Sequence, residues 1–511
     1  MSKISYEKNV EFIIGEFNYI ERLSEICLKN DKLPIRLCSI QSFDLKQYEN
    51  ILLIIEQILY FQEQYIKKEY VINKLDIFLL PNFESYTREI ERNNQSVFMS
   101  TGTLGLFIFN KEKLDSIINH QNDYTALMNN PTFIFSISQE IAKTWIRNLI
   151  SPYDLTEYWF FEALATNIAF LSLKESKMNF DFDLEYEFYN HYTKYALDSF
   201  KLFSPPRKEF DAYLKNTIDE SQIYTGISII KMFLDMYTIY NNIEYFYDED
   251  EDEGEDMEVD YEEEEEEEEF DEEMELYDIK DTLREFIQRY KNRAVREGEF
   301  FRCFINHIGK YTMANIFEFW ISKARGYPVV KVMKEEYNIK KNKLTLHLKQ
   351  FPGFYPKEEE YEFYEYQSQY SREPRRIPIF IRLYEYDLQT GDLIKEFSYI
   401  ELLYRFDQII NIPVVKKDSK RETGFFYIIS EKASSFYRVI YPMESLNNIL
   451  NHQNLLTSID KYRIWDDYQL YMDYFVKKNK ELKTTHEESE TDILNQQLMI
   501  IQAFSKSYDT T

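Results

Sequence analysis

The sequence predicts an α+β protein of several domains, and three observations support this. Residues 46–325 carry mainly the helical pattern in which apolar residues recur three and four positions apart. Between 326 and 442 the pattern changes to short apolar runs separated by turns, which is typical of a β-sandwich. A helical pattern returns in 443–511 and gives way to a polar tail from about residue 484. The 511 residues are sufficient for two to four such domains with a large core.

The first part of the chain alternates strand and helix patterns. Within 1–45, which we treat as a short β region, two apolar runs predict strands. A helix with one apolar face, a strand that ends at a proline and a strand pair around Gly102 and Gly105 follow. The predicted strands are 10–20, 33–40, 74–80 and the pair within 97–109, and the predicted helix is 48–70.

Helical patterns dominate the rest of 46–325. Between 131 and 173 the pattern is helical on both sides of Ser151-Pro152, because a Ser-Pro step ends one helix and precedes the next. Helices continue to about residue 247 and resume at about residue 276. In the sandwich region the predicted strands are 329–332, 343–348, 377–386, 425–429 and 436–441.

The acidic residues are concentrated in one stretch. Residues 248–275 hold 22 Asp and Glu in 28 positions and no Lys or Arg, and without these 22 charges the net charge of the chain changes from −30 to −8. Such a stretch repels itself and has little apolar area to bury, so we expect a disordered surface insertion. A docking segment for a basic protein partner is the alternative interpretation. Either way, the charge disfavours contact with nucleic acid phosphates.

Cysteine usage and the N-terminal sequence indicate the compartment. Cys27, Cys38 and Cys303 are far apart and odd in number, so we expect no disulfide framework and a reducing environment. The first ten residues lack the apolar region of a secretion signal. No apolar run approaches the roughly 20 residues that a membrane helix needs. We therefore expect a cytoplasmic protein, with the nucleus as the alternative, and no membrane association.

Four polar side chains in two helical segments carry most of the chemical information. Gln139 and Glu140 are adjacent, Lys143 is the fourth residue after Gln139, and 18 residues separate Lys143 from Glu162. Positions i and i+4 share one face of a helix. In zinc peptidases with the HExxH motif both of these positions are His, and the Glu beside the first is the general base. Taken alone, the QExxK pattern is typical of many surface helices.

Further segments, in the same order along the chain, resemble those of the M1 (gluzincin) aminopeptidases. That family places its third zinc ligand, a Glu, at the spacing of Glu162, and the sequence EALAT at 162–166 is similar to its EGFAT. Trp145 and Asn148 match the helix after the zinc motif. The other similar segments are 10–21 (VEFIIGEFNYIE), 74–83 (KLD and PNF), 99–107 (the place of GAMEN), 326–330 (GYPVV), 437–439 (YRV) and 466–467 (DD). The resemblance covers about 10–475.

The resemblance implies a domain organisation. It predicts a thermolysin-like M1 catalytic domain in 46–325, interrupted by the acidic insertion, and a β-sandwich in 326–442. Residues 1–45 would be the remnant of an N-terminal β domain, and 443–511 a truncated helical domain. In the family these two domains form walls on either side of the active-site cleft. Because both would be reduced here, the cleft would be open, which suits a binding surface better than a closed peptidase chamber.

The resemblance also assigns positions within a site. Glu140 occupies the position of the general base. Gly102 occupies the position of the GAMEN glutamate, which binds the free amino group of the substrate in the family. The position of the transition-state Tyr falls on Ile223, and Tyr224 is one residue away.

The zinc ligands themselves have changed. Gln139 offers only a neutral amide, and the Lys143 ammonium has no lone pair and repels a dication. Of the three ligand positions only Glu162 keeps a metal-binding side chain. We therefore expect no zinc and no other cofactor. An ion pair of Lys143 with Glu162 or with Glu140 is expected to replace the positive charge of the metal.

These expectations favour a pseudoenzyme that serves as a binding or scaffold module for a protein partner, a basic one if the acidic insertion docks it. A metal-free domain of the M1 type is present in one subunit of the transcription factor TFIID, to which the chain also has a distant similarity. Two alternatives stay open. One is an active aminopeptidase with peptide substrates and a rebuilt site, and the other is a fragment with no retained role.

Overall fold

The computed structural model of the protein describes most of the chain. The described residues are 15–26, 28, 32–40, 43–81, 100–103, 105–118, 124–198, 220–242, 279–304, 307–308, 311–323, 327–338, 343–352, 374–414, 423–430, 434–482 and 499–500. The predicted acidic insertion at 248–275 lies outside these residues, and so does nearly all of the predicted polar tail.

Five strands near the start of the chain form one mixed sheet. They are β1 (Phe17–Ser24), β2 (Leu33–Ile40), β3 (Leu75–Leu80), β4 (Ser100–Thr103) and β5 (Leu106–Asn110). Their order is β1-β2-β3-β5-β4, in which β2, β3 and β5 are parallel and the two outer strands are antiparallel to their neighbours. Gly105, at φ +79°, forms the turn between β4 and β5, where its carbonyl accepts a hydrogen bond from Asp76 N at 2.9 Å.

Two predictions for this region require correction. The first strand lies at Phe17–Ser24, so it overlaps the predicted run at 10–20 only over 17–20 and extends four residues beyond it; residues 10–14 are outside the described residues. Because β2 pairs with β3, the domain boundary predicted at residue 45 divides a single sheet, and 1–45 is not a separate β region. The periodicity of a sequence shows where strands form but not which strands pair, so the boundary had no physical basis in the pattern.

Helices pack on this sheet and continue the chain. They are α1 (Glu49–Ile66), α2 (Lys111–Ile118), α3 (Tyr124–Met128), α4 (Pro131–Lys143), α5 (Tyr158–Glu175), α6 (Leu184–Phe188), α7 (Lys194–Asp198), α8 (Glu220–Asn242), α9 (Ile279–Tyr290), α10 (Glu297–Phe301) and α11 (Met313–Glu318). Wider π-helical turns occupy Thr144–Leu149, Tyr189–Thr193 and Phe319–Lys323. Two short strand pairs join β6 (Ser151–Pro152) to β7 (Ala294–Val295) and β8 (His307–Ile308) to β9 (Tyr311–Thr312).

The two central helices, α4 and α5, follow from local sequence signals. Asn130 caps α4, since its side chain accepts a hydrogen bond from Phe133 N at 2.9 Å, and Pro131 takes the first helical position. The chain leaves this helix before Ser151-Pro152, as the Ser-Pro step predicts. Helix α5 is buried around almost its whole circumference, as expected of a central helix without a polar face.

The C-terminal half contains two further sheets. Their strands are β10 (Pro328–Asn338), β11 (Lys343–Pro352), β12 (Ile377–Asp387), β13 (Leu393–Leu403), β14 (Asp407–Pro413), β15 (Thr423–Ile429) and β16 (Arg438–Ile440). One sheet has the order β14-β11-β10-β16 and the other β13-β12-β15. The strands β13 and β14 were not predicted. Helices α12 (Met443–Asn451) and α13 (Ser458–Leu482) follow. The described chain is therefore α+β, and none of its described helices has the length and apolar character to cross a membrane.

A buried ionic cluster connects the helices to the sheet that contains β16. The Arg438 side chain on β16 is 0% exposed. Its Nη1 is 2.6 Å from Asp466 and 3.0 Å from Asp467 on α13, and its Nη2 is 2.7 Å from Asp198 at the end of α7. Asp467 also accepts a hydrogen bond from Val439 N at 2.9 Å. Burial lowers the pKa of Arg438, but its acidic surroundings, Asp466 first and Asp467 with it, outweigh burial and raise it well above its ordinary value.

We predict that Arg438→Met lowers the free energy of unfolding by about 3–5 kcal/mol, because it leaves the buried Asp467 without its ion-pair partner and Asp466 with Lys194 alone. Urea unfolding at neutral pH measures the change. Arg405→Met, at an exposed arginine beside Tyr404, is the control and should cost less than about 1 kcal/mol. Equal losses in both variants would show that the Arg438 cluster has no special role.

Helices α5 and α8 approach each other closely at Gly226. A Cβ atom at this position would lie 2.6 Å from Cε3 of Trp159 and 3.5 Å from Cβ of Ala163. Asn167 on α5 donates a hydrogen bond to the carbonyl of Ile227 at 3.0 Å, so the two helices are also tied by a polar contact. Glycine is therefore required here by packing, although it is unfavourable for helix formation.

We predict that Gly226→Ala lowers the free energy of unfolding by about 1–3 kcal/mol, because the Trp159 ring must move. Gly298→Ala is the matched control, since nothing lies within 4 Å of a Cβ built there. That variant should be neutral or stabilising by up to about 1 kcal/mol. Denaturant unfolding of both variants tests the prediction, and a stabilising Gly226→Ala would contradict it.

Candidate functional site

The four residues singled out in the sequence come together between α4 and α5. Gln139, Glu140 and Lys143 lie on α4, and Glu162 lies on α5. All four are less than 10% exposed. The i and i+4 positions of α4 therefore point toward the neighbouring helix rather than to solvent, and the alternative of an ordinary surface helix is wrong for this segment.

Lys143 holds a central position among these residues. Its Nζ is 3.1 Å from Oε1 of Glu140 and 3.0 Å from Oε2 of Glu162. Both ion pairs that the sequence suggested are thus present, and a single ammonium makes them. The first pair lies within α4, and the second joins α4 to α5.

Arg147, which the sequence analysis did not include, completes the cluster. It lies in the π-helical turn after α4, and its Nη1 is 2.9 Å from Oε1 of Glu162. The guanidinium lies 5.0 Å from the ring centre of Tyr158 at the start of α5, a cation–π distance. Its position four residues after Lys143 was the available signal, since such spacing places two cations on adjacent turns.

The cluster is electrically balanced, with two cations and two carboxylates. Burial alone lowers the pKa of Lys143, but Glu140 and Glu162 outweigh burial and raise it above its ordinary value. Burial alone raises the pKa of Glu162, but Lys143 and Arg147 hold it below its ordinary value. Burial and the charge of Glu162 raise the pKa of Tyr158 to about 12. Lys143 and Glu162 are therefore ionised at neutral pH.

Gln139 connects α4 to α5 by a hydrogen bond. Its Nε2 donates a hydrogen bond to Oγ1 of Thr166 at 2.7 Å, and that hydroxyl donates to the carbonyl of Glu162 at 2.8 Å. The amide is thus used in α4–α5 packing. Glu140 differs, because its Oε1 contacts Lys143 while its Oε2 is buried without a hydrogen-bond partner among the described residues.

Tyr224 and Gly102 have other surroundings. The Tyr224 ring is buried on α8 and packs on the rings of Tyr192 and Tyr195, with ring centres 5.8 Å and 4.7 Å apart. Gly102 lies on the edge strand β4, opposite Phe107 of β5, and this strand lies against α4. A glycine provides no carboxylate for an amino group. The roles assigned to these two positions stay predictions.

The donors present between α4 and α5 do not fit a zinc ion. An amide that is already hydrogen-bonded and an ammonium occupy two of the three expected ligand positions. Arg147 holds the other oxygen of Glu162. Within the part of the chain that the structure describes, no three His, Cys, Asp or Glu side chains are grouped as metal ligands.

Sequence comparison adds no family assignment, since no protein-family model matches this chain and no curated protein matches it.

We predict that Glu162→Gln lowers the free energy of unfolding by about 3–5 kcal/mol at pH 7, because Lys143 and Arg147 then face one carboxylate instead of two. The folded-state pKa of Glu162 lies below its ordinary value of 4.5, so its contribution is present above pH 4.5 and is lost as the pH falls through the folded-state pKa. The difference between wild type and variant should therefore shrink in acid.

Urea unfolding between pH 7 and pH 3 measures this difference. Glu175→Gln is the matched control on the same helix, where Glu175 forms an exposed ion pair with Lys280. Removal of that pair should cost less than about 1 kcal/mol. A loss for Glu162→Gln that does not change with pH would contradict the assigned charge state of the cluster.

Proposed function

We propose that the protein is a zinc-free relative of the M1 aminopeptidases, with a thermolysin-like domain that serves as a protein-binding or scaffold module rather than as a peptidase. One observation carries the proposal, namely the position of Lys143 Nζ at 3.1 Å from Glu140 and 3.0 Å from Glu162. In the family that the sequence resembles, a zinc ion holds the equivalent position between these two helices. Here an ammonium occupies it.

The chemistry of this cluster argues against peptide hydrolysis. A zinc peptidase needs a metal-bound water that its general base can deprotonate. Lys143 and Arg147 provide positive charge, but neither binds water as a Lewis acid does. Both are also committed to Glu162, at 3.0 Å and 2.9 Å. The cluster therefore supports the packing of α4 on α5, which keeps the domain folded and its surface available for a partner.

The retained Glu140 favours the alternative of an active aminopeptidase with a rebuilt site. Its Oε2 is buried and has no hydrogen-bond partner among the described residues, as a general base that awaits a substrate or water would be. Its Oε1, however, contacts Lys143 at 3.1 Å. This contact occupies one oxygen of Glu140 and adds no nucleophile, so the pseudoenzyme is the better supported function.

We predict that the purified protein contains no stoichiometric zinc and that Gln139→His with Lys143→His gains zinc affinity. The double variant restores two imidazoles at i and i+4 beside Glu162, a set of three zinc ligands. Elemental analysis after dialysis against a weak chelator measures both proteins. The matched control is Gln139→His with Lys143→Gln, which removes the same ammonium but provides one imidazole fewer and should stay near background.

Two outcomes would contradict the proposal. Close to one zinc per chain in the wild-type protein would show that a metal site exists after all. Failure of a folded double variant to gain zinc over its control would show that the two helices lack the geometry of the family. Hydrolysis of aminoacyl-coumarin substrates by the wild-type protein, abolished in Glu140→Gln, would establish the active alternative. Stable co-purification with a defined partner tests the scaffold role.

A further inference from the structure

A second candidate site lies in the β-sandwich, away from α4 and α5. A cavity of about 360 Å³ opens between strands of both sheets and helix α12. Aromatic rings form much of its wall, among them Tyr337 of β10 and Phe425 and Tyr427 of β15. Two carboxylates, Glu335 and Glu444, also line it, whereas none of the described lining residues is basic.

Glu385 of β12 adds a buried carboxyl group beside this cavity. Its side chain is 0% exposed, and neither of its carboxylate oxygens has a hydrogen-bond partner among the described residues. It shares one face of β12 with Leu383, which lines the cavity, and its cross-strand neighbour is Phe425, another lining residue. Burial and the charge of Glu385 raise the pKa of Tyr337, which places the carboxylate near that ring.

The polar groups around the cavity are incompletely satisfied. Glu335 accepts a hydrogen bond from Ser445 at 2.5 Å, but the hydroxyl of Tyr337 is buried without a partner among the described residues. In the described part of the chain, none of Glu335, Glu385 and Glu444 forms an ion pair. A buried carboxylate without a partner lowers stability, and such groups in folded proteins call for an explanation.

We propose that this cavity binds an organic cation, an ammonium or guanidinium group on an apolar stem, whose charge is met by Glu335 and Glu444 on the cavity wall and attracted by Glu385 behind it. The aromatic rings would contact the stem and the cationic head, and the three carboxylates select positive charge. A metal ion suits the site less well, because it requires several oxygen ligands grouped together and no such group exists among the described residues. The cavity is of the size found for small-ligand pockets, roughly 300–1,000 Å³.

Two sources provide this chemistry, a free amine and the basic side chain of a peptide. Calorimetric titration with n-butylammonium chloride tests the first, and an acetylated, amidated Gly-Gly-Arg-Gly-Gly peptide tests the second. n-Butanol, which has the same stem and no charge, is the ligand control at equal ionic strength. Binding of the amine alone identifies a free amine as the ligand class, and binding of the peptide identifies a side chain. Absence of binding by both overturns the proposal.

Glu385→Gln separates a ligand-binding role from a structural one. The variant keeps the shape of the side chain and removes the uncompensated charge, so its free energy of unfolding should equal or exceed that of the wild type. Its affinity for the bound cation should fall tenfold or more. Glu396→Gln, an exposed carboxylate on the adjacent strand β13, should leave affinity unchanged. Equal binding of n-butanol and n-butylammonium, or full affinity in Glu385→Gln, would overturn the proposal.

Discussion

Arg438 joins three parts of the chain through one buried guanidinium. Its partners are Asp198 at the end of α7 and the adjacent Asp466 and Asp467 on α13. More than 200 residues of sequence separate Asp198 from the other two. A guanidinium offers five donors in a fixed plane, so it can bind three carboxylates at once in defined directions. Because Asp466 and Asp467 are costly to bury without a cation, the sheet that contains β16, the first helical region and the C-terminal helices are held in one arrangement. The α4–α5 cluster lies within the helical region that this arrangement supports.

The cost of burying a carboxylate without a partner also distinguishes the two candidate sites. Glu162 is buried, but both of its oxygens contact cations from within the chain, so the group is satisfied and its surroundings explain it. Glu385 is buried to the same degree, and neither of its oxygens has a hydrogen-bond partner among the described residues. A buried carboxylate whose two oxygens both have partners is explained by the fold itself. A buried carboxylate without partners, beside a cavity, is the basis for the ligand that we propose. For this reason the most chemically suggestive sequence motif leads to the scaffold proposal, and a residue with no sequence signal leads to the ligand-binding proposal.

The sequence predicted those helices and strands in which the apolar residues recur at one clear spacing. Helix α1 and strands β2 and β3 match their predicted positions, because each buries one regular face. Strand β13 was missed because its residues are largely half-exposed without alternation. No such reason applies to the edge strand β14, whose buried residues Ile410 and Ile412 alternate with exposed ones. In the site, helical spacing was sufficient to bring Gln139, Glu140 and Lys143 to one face. Arg147 and Glu385 were not found, since their importance depends on contacts between segments that no local pattern records.

Under the proposed relationship to the M1 aminopeptidases, charge balance gives a physical reason why Gln139 and Lys143 stand at the positions of the two zinc-binding histidines. A zinc ion contributes two positive charges between Glu140 and Glu162, and Lys143 with Arg147 contributes the same number from side chains. Loss of the metal alone would have left two buried carboxylates, each less than 5% exposed, without a cation. An ammonium at position 143 removes that cost with a single residue, and Gln139 keeps a hydrogen bond to α5 in place of a ligand. Glu162 then persists because it joins α4 to α5, whereas Glu140 pairs with the same ammonium within α4.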